Sequence, residues 1–166
     1  MMLSVAVLTL VTLQRLMELV LARRNTRILI AHGGIEIGAG HYPLIVALHT
    51  AWLAGLWALA WNRPIDLALL GVFAGLQALR LWVLASLGER WTTRIIIVPG
   101  LPLVRKGPYR FLRHPNYLIV AAEILILPLA FGLTAYAVLF SALNAVVLAV
   151  RIRTENRALQ DERERL

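Results

Sequence analysis

Five apolar stretches, each near the length of a bilayer crossing, dominate the chain: Leu3 to Ala22, Tyr42 to Trp61, Ile65 to Leu87, and two within Leu118 to Val150. A crossing needs about 20 mostly apolar residues, so most of the chain belongs in lipid. Composition agrees, since 60% of the 166 residues are apolar and 16% charged, where a soluble domain carries about 25% charge. A water-soluble globule is excluded. The expected fold is an all-α integral membrane protein with about five transmembrane helices. It forms a single membrane domain over residues 1–166: three spans in 1–87, an extramembrane loop in 88–117, a helical hairpin in 118–150 and a tail helix in 151–166.

The first stretch has no basic run before it and no A-x-A-like cleavage site, and Arg23, Arg24 and Arg27 follow it, so it reads as a retained span. A polar loop is expected from Asn25 to His41. Tyr42, Trp57 and Trp61 sit near the ends of the second stretch, as interfacial rings do. Asn62-Arg63-Pro64 is a turn that makes spans two and three a tight hairpin. Leu118 to Val150 holds 33 residues without Lys or Arg, broken by Pro128 and Gly132, which suits two shorter helices better than one long one. The helix-forming tail is expected to continue the last span.

Cations test this count. With five spans, one side receives 14 Lys and Arg residues and the other only Arg63. If Leu118 to Val150 crossed once, the split would be 9 against 6. Because Lys and Arg bias sets orientation, the amino terminus is expected outside, with the basic loop and tail cytoplasmic. The net charge of +8 then marks cytoplasmic loops, with no nucleic acid as partner. Zero Cys excludes disulfides, thiolate zinc and a Cys nucleophile.

Arg15, Glu18, Arg80 and Glu123 are ionisable groups inside spans. Each costs about 2.5–3.5 kcal/mol at a helix centre on insertion scales, so such groups face the protein interior and pair. Arg15 and Glu18 share a helix face, as do Gln77 and Arg80. Glu123 and Asn144 are placed to meet across the last hairpin. Arg80 and Glu123 are either structural contacts or the lining of a polar substrate pocket. Phosphate-binding glycine motifs are absent, and His32, His41, His49 and His114 lack metal-ligand spacing, so no metal is expected.

The segment from Leu101 to Tyr117 is different, for it compresses three aromatic rings, four Lys or Arg residues, His114 and three prolines into the entrance of a membrane helix. Proline fixes φ and disfavours helix at the preceding residue, so Gly107-Pro108 and His114-Pro115 hold their neighbours in a rigid, non-helical frame. Arg151 and Glu155 lie four apart on one face as the last helix leaves the bilayer, where an ordinary ion pair would also explain them. Both clusters occupy the same rim and can converge.

Gly107-Pro-Tyr-Arg-Phe-Leu-Arg-His-Pro-Asn-Tyr117, the helical hairpin and Arg151-x-Arg-Thr-Glu155 resemble the isoprenylcysteine carboxyl methyltransferase superfamily, integral membrane enzymes that use S-adenosylmethionine. The resemblance covers roughly Arg90 to Leu166. It implies that Leu101, Pro102, Leu103, Val104, Tyr109, His114, Pro115, Asn116, Tyr117 and Glu155 contact the cofactor. Arg151 would face the substrate's nucleophilic oxygen, with Arg151 and Glu155 as the catalytic pair. Arg-His-Pro-Asn-Tyr-Leu-Ile-Val with Glu123 is similar to the small bacterial branch that methylates alkylpyrones and alkylresorcinols, which implies a bacterial inner membrane. The family often has Glu-Glu where this chain has Glu155-Asn156. Membrane lipid reductases of the sterol-reductase type also carry Arg-His-Pro-Asn-Tyr, but usually followed by Gly-Glu, where this chain has Leu118-Ile119. A non-enzymatic scaffold is the third reading.

The chemistry implied by the resemblance suits these residue types. A sulfonium cation, an amino-acid head and an adenine ring need a carboxylate, cations and an aromatic wall. An acidic acceptor such as a carboxylate or hydroxypyrone is already ionised, and Arg151 need only hold it. A resorcinol hydroxyl, with a pKa near the roughly 10 of a phenol, wants a base, for which Glu155 and His114 are both candidates. The partners implied are a lipophilic small-molecule substrate and membrane lipids.

Overall fold

The computed structural model describes residues 1–102 and 104–164. Its helices are α1 (Met2–Ala31), α2 (Tyr42–Ala60), α3 (Leu67–Leu87), α4 (Pro115–Ala130) and α5 (Thr134–Glu164). Helices predominate because lipid offers no hydrogen bonds, so a spanning segment must satisfy its own backbone. Among the described residues, four helical segments are long and apolar enough to cross a membrane: Met2–Ala31, Ala39–Ala60, Leu67–Arg90 and Thr134–Gln160. The fifth, α4, has 16 residues and spans about 24 Å, short of the roughly 30 Å hydrocarbon layer. The protein is an all-α integral membrane protein, with four such long helices and one shorter apolar one where about five spans were expected.

One expected boundary is corrected. The polar loop does not begin at Asn25, because α1 continues to Ala31. Ala22, Asn25 and Leu29 are buried at helical spacing, and that buried face carries the helix past the charged residues. Residues 118–150 fold as two helices, α4 and α5, parted at 131–133, and α5 continues through the tail for 31 residues in all. Trp57, near one end of the second stretch, is half-buried, and its indole Nε1 donates to Thr12 Oγ1 at 3.0 Å, joining α2 to α1.

A small sheet was not expected. β1 (Ile35–Ile37) pairs antiparallel with β2 (Ile95–Ile97), Ile35 opposite Ile97 and Ile37 opposite Ile95. It stitches the loop after α1 to the loop after α3. Arg94 Nη1 reaches both Glu36 carboxylate oxygens at 2.8 Å and sits 4.5 Å over the Tyr42 ring. At the other end of the bundle, Ser4 Oγ donates to the Arg63 carbonyl at 2.5 Å, and Asp66 N donates to the Ala130 carbonyl at 2.8 Å. Asp66 also caps α3 by accepting from Ala68 N and Leu69 N. The loops after α1 and α3 therefore meet at one end, and the turns after α2 and α4 at the other.

The apolar core comes in two parts. The larger, around Leu8, Trp52, Leu56, Phe73, Ile124 and Leu127, lies toward the Asp66 end. The smaller, of Ala22, Val83, Trp91 and Ile119, lies toward the sheet. Between them, Gln14, Arg15 and Glu18 on α1, Gln77 and Arg80 on α3 and Glu123 on α4 form one polar network. Arg80 donates to Glu18 through Nε and Nη2 at 2.5 and 2.6 Å, and to Glu123 Oε2 through Nη1 at 2.8 Å. Arg15 adds bonds to Glu18 at 3.1 Å and Glu123 at 2.8 Å. Gln77 donates to Glu123 Oε1 at 2.8 Å, and Gln14 links Glu18 to Gln77. Two cations meet two carboxylates, so the network is neutral, which is the condition for charge to survive at this depth.

Candidate active site

The site forms where α4 begins and α5 leaves the apolar layer. Gly107–Arg110 makes one 3₁₀ turn with Pro108 near its start, and α4 starts on Pro115. The frame expected to be non-helical is thus two helix starts, each using proline where its missing N–H costs nothing. Gly107 holds φ +58°, and a Cβ there would collide with the Ser86 side chain. Only glycine satisfies both conditions. The turn is thereby pressed onto the end of α3.

His114 caps α4, and its ring stacks on Tyr117 with centroids 5.3 Å apart. On α5, Arg151 is 7% exposed and lies on the buried stripe that includes Ala137, Phe140, Asn144 and Val147. The Tyr117 hydroxyl donates to Glu155 Oε2 and accepts from Arg151 Nε at 2.8 Å. The Arg151 guanidinium lies 5.5 Å from the Tyr117 ring centre. The simple ion pair between Arg151 and Glu155 is replaced by a relay through a phenol. His114 Nδ1 is 3.8 Å from Glu155 Oε2, and its Nε2 is 3.2 Å from Asn156 Oδ1. Asn156 was not singled out as a site residue; its departure from the Glu-Glu pattern was the available signal.

Tyr109 packs against the smaller apolar cluster. Burial, and then the charge of Glu155, pushes its phenol above the ordinary value, so it stays protonated at neutral pH. Pro115 is buried, and Asn116 Oδ1 is buried without a hydrogen-bond partner among the described residues. The structure thus brings together His114, Tyr117, Arg151 and Glu155 from the expected set, with Tyr109, Pro115 and Asn116 around them. Leu101 and Pro102 are exposed, and Arg90 Nη1 holds the Pro102 carbonyl at 2.5 Å. No hydrogen bond joins them or Val104 to the relay among the described residues, and Leu103 lies outside those residues.

Arg80 and Glu123 stand apart from the relay. All three Arg80 nitrogens and both Glu123 oxygens are bonded within the buried network. The expected meeting of Glu123 with Asn144 is corrected: among the described residues the Glu123 carboxylate accepts from Gln77, Arg80 and Arg15 and not from Asn144. Arg15 on α1 and Gln77 and Arg80 on α3 already occupy both carboxylate oxygens.

Comparison with known proteins places this geometry. An uncharacterised protein of Bacillus subtilis, YpbQ, is 43% identical over 153 residues, covering 89% of this chain and 91% of its own. An uncharacterised protein of Haemophilus influenzae is 30% identical over 154 residues, covering 87% and 88%. No solved structure shows significant similarity to the chain. Residues 68–161, which include the whole relay, match the isoprenylcysteine carboxyl methyltransferase (ICMT) family. The chain belongs to that family, membrane methyltransferases that in general use S-adenosylmethionine.

Proposed function

We propose that the protein is an S-adenosylmethionine-dependent O-methyltransferase acting on a lipophilic acceptor at the cytoplasmic face of a bacterial inner membrane, with its amino terminus outside. The observation that carries this reading is the Arg151–Tyr117–Glu155 relay. It consumes one nitrogen of Arg151 and one oxygen of Glu155. Nη1 and Nη2 of Arg151 and Oε1 of Glu155 make no hydrogen bond with the described residues.

The residues suit the cofactor. Asn116 Oδ1 is a buried acceptor awaiting a donor, and burial without a partner costs about 1–3 kcal/mol, which an ammonium group would relieve. Glu155 supplies a carboxylate for the same head, and the stacked His114 and Tyr117 rings with Tyr109 supply an aromatic wall. When bound, S-adenosylmethionine supplies a methyl group already activated by a sulfonium centre. The protein's part is alignment, worth up to about 7–11 kcal/mol. Arg151 holds the acceptor oxygen as an anion, and Tyr117 fixes the Arg151 plane. Glu155 or His114 takes the proton where the acceptor is a phenol.

The acceptor is a long-chain lipid, with an alkylpyrone or alkylresorcinol preferred over a prenylcysteine carboxylate. Its tail stays among the helices while its head meets Arg151, and Arg80 and Glu123 mark the inner limit of its groove. Each buried CH₂ contributes about 0.8 kcal/mol. Affinity should therefore climb with chain length until the groove is full. The test follows labelled methyl transfer to alkylpyrones, alkylresorcinols and a farnesylcysteine analogue of several lengths. Equal reaction of short soluble acceptors would refute the groove, and no transfer to any oxygen acceptor would refute the proposal.

A further inference from the structure

The lipid-facing side of α1 changes character without changing face. Leu13, Met17 and Val20 are exposed, and the next residues on that side are Arg23, Arg24 and Arg27, also exposed. At 100° per residue these six lie within an arc of about 120°. The buried residues of the same turns, Glu18, Ala22, Asn25 and Leu29, centre on a direction about 160° away. That opposite side is committed to the protein, for Asn25 Nδ2 donates to the Gly88 and Trp91 carbonyls at 3.1 and 2.8 Å.

Val20, Arg23, Arg24, Arg27 and Ile28 line an open depression. None of its three arginines makes a hydrogen bond or ion pair with any described residue. Three unpaired guanidinium groups within about 6 Å of helix rise repel one another and call for an anion. A planar fork of donors matches the free oxygens of a phosphate diester. The ligand's other end is set by the stripe below, where apolar residues face acyl chains. A zwitterionic lipid would bring its own ammonium group toward the three cations.

We propose that this face of α1 binds the headgroup of an anionic phospholipid, its phosphate on Arg23, Arg24 and Arg27 and its acyl chains along Val20, Met17 and Leu13. Lipid and the loop between α3 and β2 then grip opposite sides of the same helical turns.

The test titrates the full chain in neutral detergent with dioleoylphosphatidylglycerol, and separately with dioleoylphosphatidylcholine, counting bound lipid by native mass spectrometry. Each cation near an anionic headgroup is worth about fivefold in partition, so R23Q/R24Q/R27Q should need about 100-fold more phosphatidylglycerol for half-saturation. Phosphatidylcholine binding should be the same in both chains, and R23K/R24K/R27K should retain most of the preference. The single variant R27Q, expected to lose about fivefold, serves if the triple variant does not fold. An unchanged phosphatidylglycerol preference in the Gln variants would overturn the site. Displacement of the lipid by an equal concentration of soluble glycerol phosphate would overturn its assignment to a lipid.

Discussion

Replacing Glu123 with Leu should be the most damaging single change in the membrane interior. Its side chain is 1% exposed and accepts from Gln77, Arg80 and Arg15, each at 2.8 Å. Removing it leaves two arginines to share Glu18, so a neutral network becomes a net positive one at a depth where water cannot screen it. Breaking one partner of a buried ion pair costs about 3–5 kcal/mol, and Glu123→Leu should fall in that range. Arg15→Leu should cost less than Arg80→Leu, because the Arg15 side chain is 18% exposed against 6% for Arg80. The double variant Arg15→Leu/Glu123→Leu restores neutrality and keeps both Arg80 bonds to Glu18. Its loss should therefore be smaller than the sum of the single losses by about 1–3 kcal/mol. Reversible unfolding in mixed micelles of increasing SDS fraction, followed by far-ultraviolet circular dichroism, measures all four variants against the parent chain. A Glu123→Leu cost below about 1 kcal/mol, or strictly additive losses, would refute the view that charge balance holds these helices together.

Four further outcomes follow from the site and the topology. Glu155→Gln and His114→Ala should each weaken binding of S-adenosylhomocysteine, by calorimetry, while leaving helicity unchanged; unaltered affinity in both removes the cofactor assignment. Arg151→Met should lower turnover of the acceptor by 10- to 100-fold, about 1.4–2.8 kcal/mol of barrier, with cofactor affinity nearly intact, as single-turnover methyl transfer would show. Gly107→Ala should perturb the 3₁₀ turn by about 1–3 kcal/mol of backbone strain plus the clash with Ser86; Ser86→Gly should recover only the clash. Reporter fusions after Asn62 and Leu166 should mark opposite sides of the membrane, and reports from one side would discard the proposed orientation.

Residues that carry a local rule were legible in the sequence, and those that depend on a distant partner were not. Tyr117, Arg151 and Glu155 could be found because a proline-framed aromatic and an i,i+4 pair stand out against apolar surroundings. Their connection through one hydroxyl could not, since it depends on how α4 and α5 are rotated. Arg15 with Glu18 was read correctly as one face of α1, and the meeting of Glu123 with Asn144 was not. Helical spacing identifies neighbours on one helix and is silent about which of several partners wins between helices. β1 escaped because Ile35-Glu36-Ile37 alternates over only three residues. The extension of α1 escaped because Arg23, Arg24 and Arg27 suggest a loop, although Ala22, Asn25 and Leu29 repeat at helical spacing beneath them.

The shortness of α4 follows from its position. Of its sixteen residues only Leu118 is exposed, whereas α1 presents a long stripe of bare side chains to lipid. A helix enclosed by its neighbours need not reach both interfaces, because protein, not hydrocarbon, surrounds its ends. It is also held at three depths: Tyr117 bonds to α5, Glu123 bonds to α1 and α3, and the Ala130 carbonyl accepts from Asp66 N. Sliding α4 by one residue, about 1.5 Å, would stretch a set of 2.8 Å bonds at every level together. The charged network far from the relay thus sets the height of Tyr117 against Arg151. Loss of Glu123 should therefore be felt at the relay as well as in stability. In variants that still fold, methyl transfer should fall more steeply than cofactor binding, because an acceptor oxygen must be aligned to within a fraction of an ångström while a bound cofactor tolerates more.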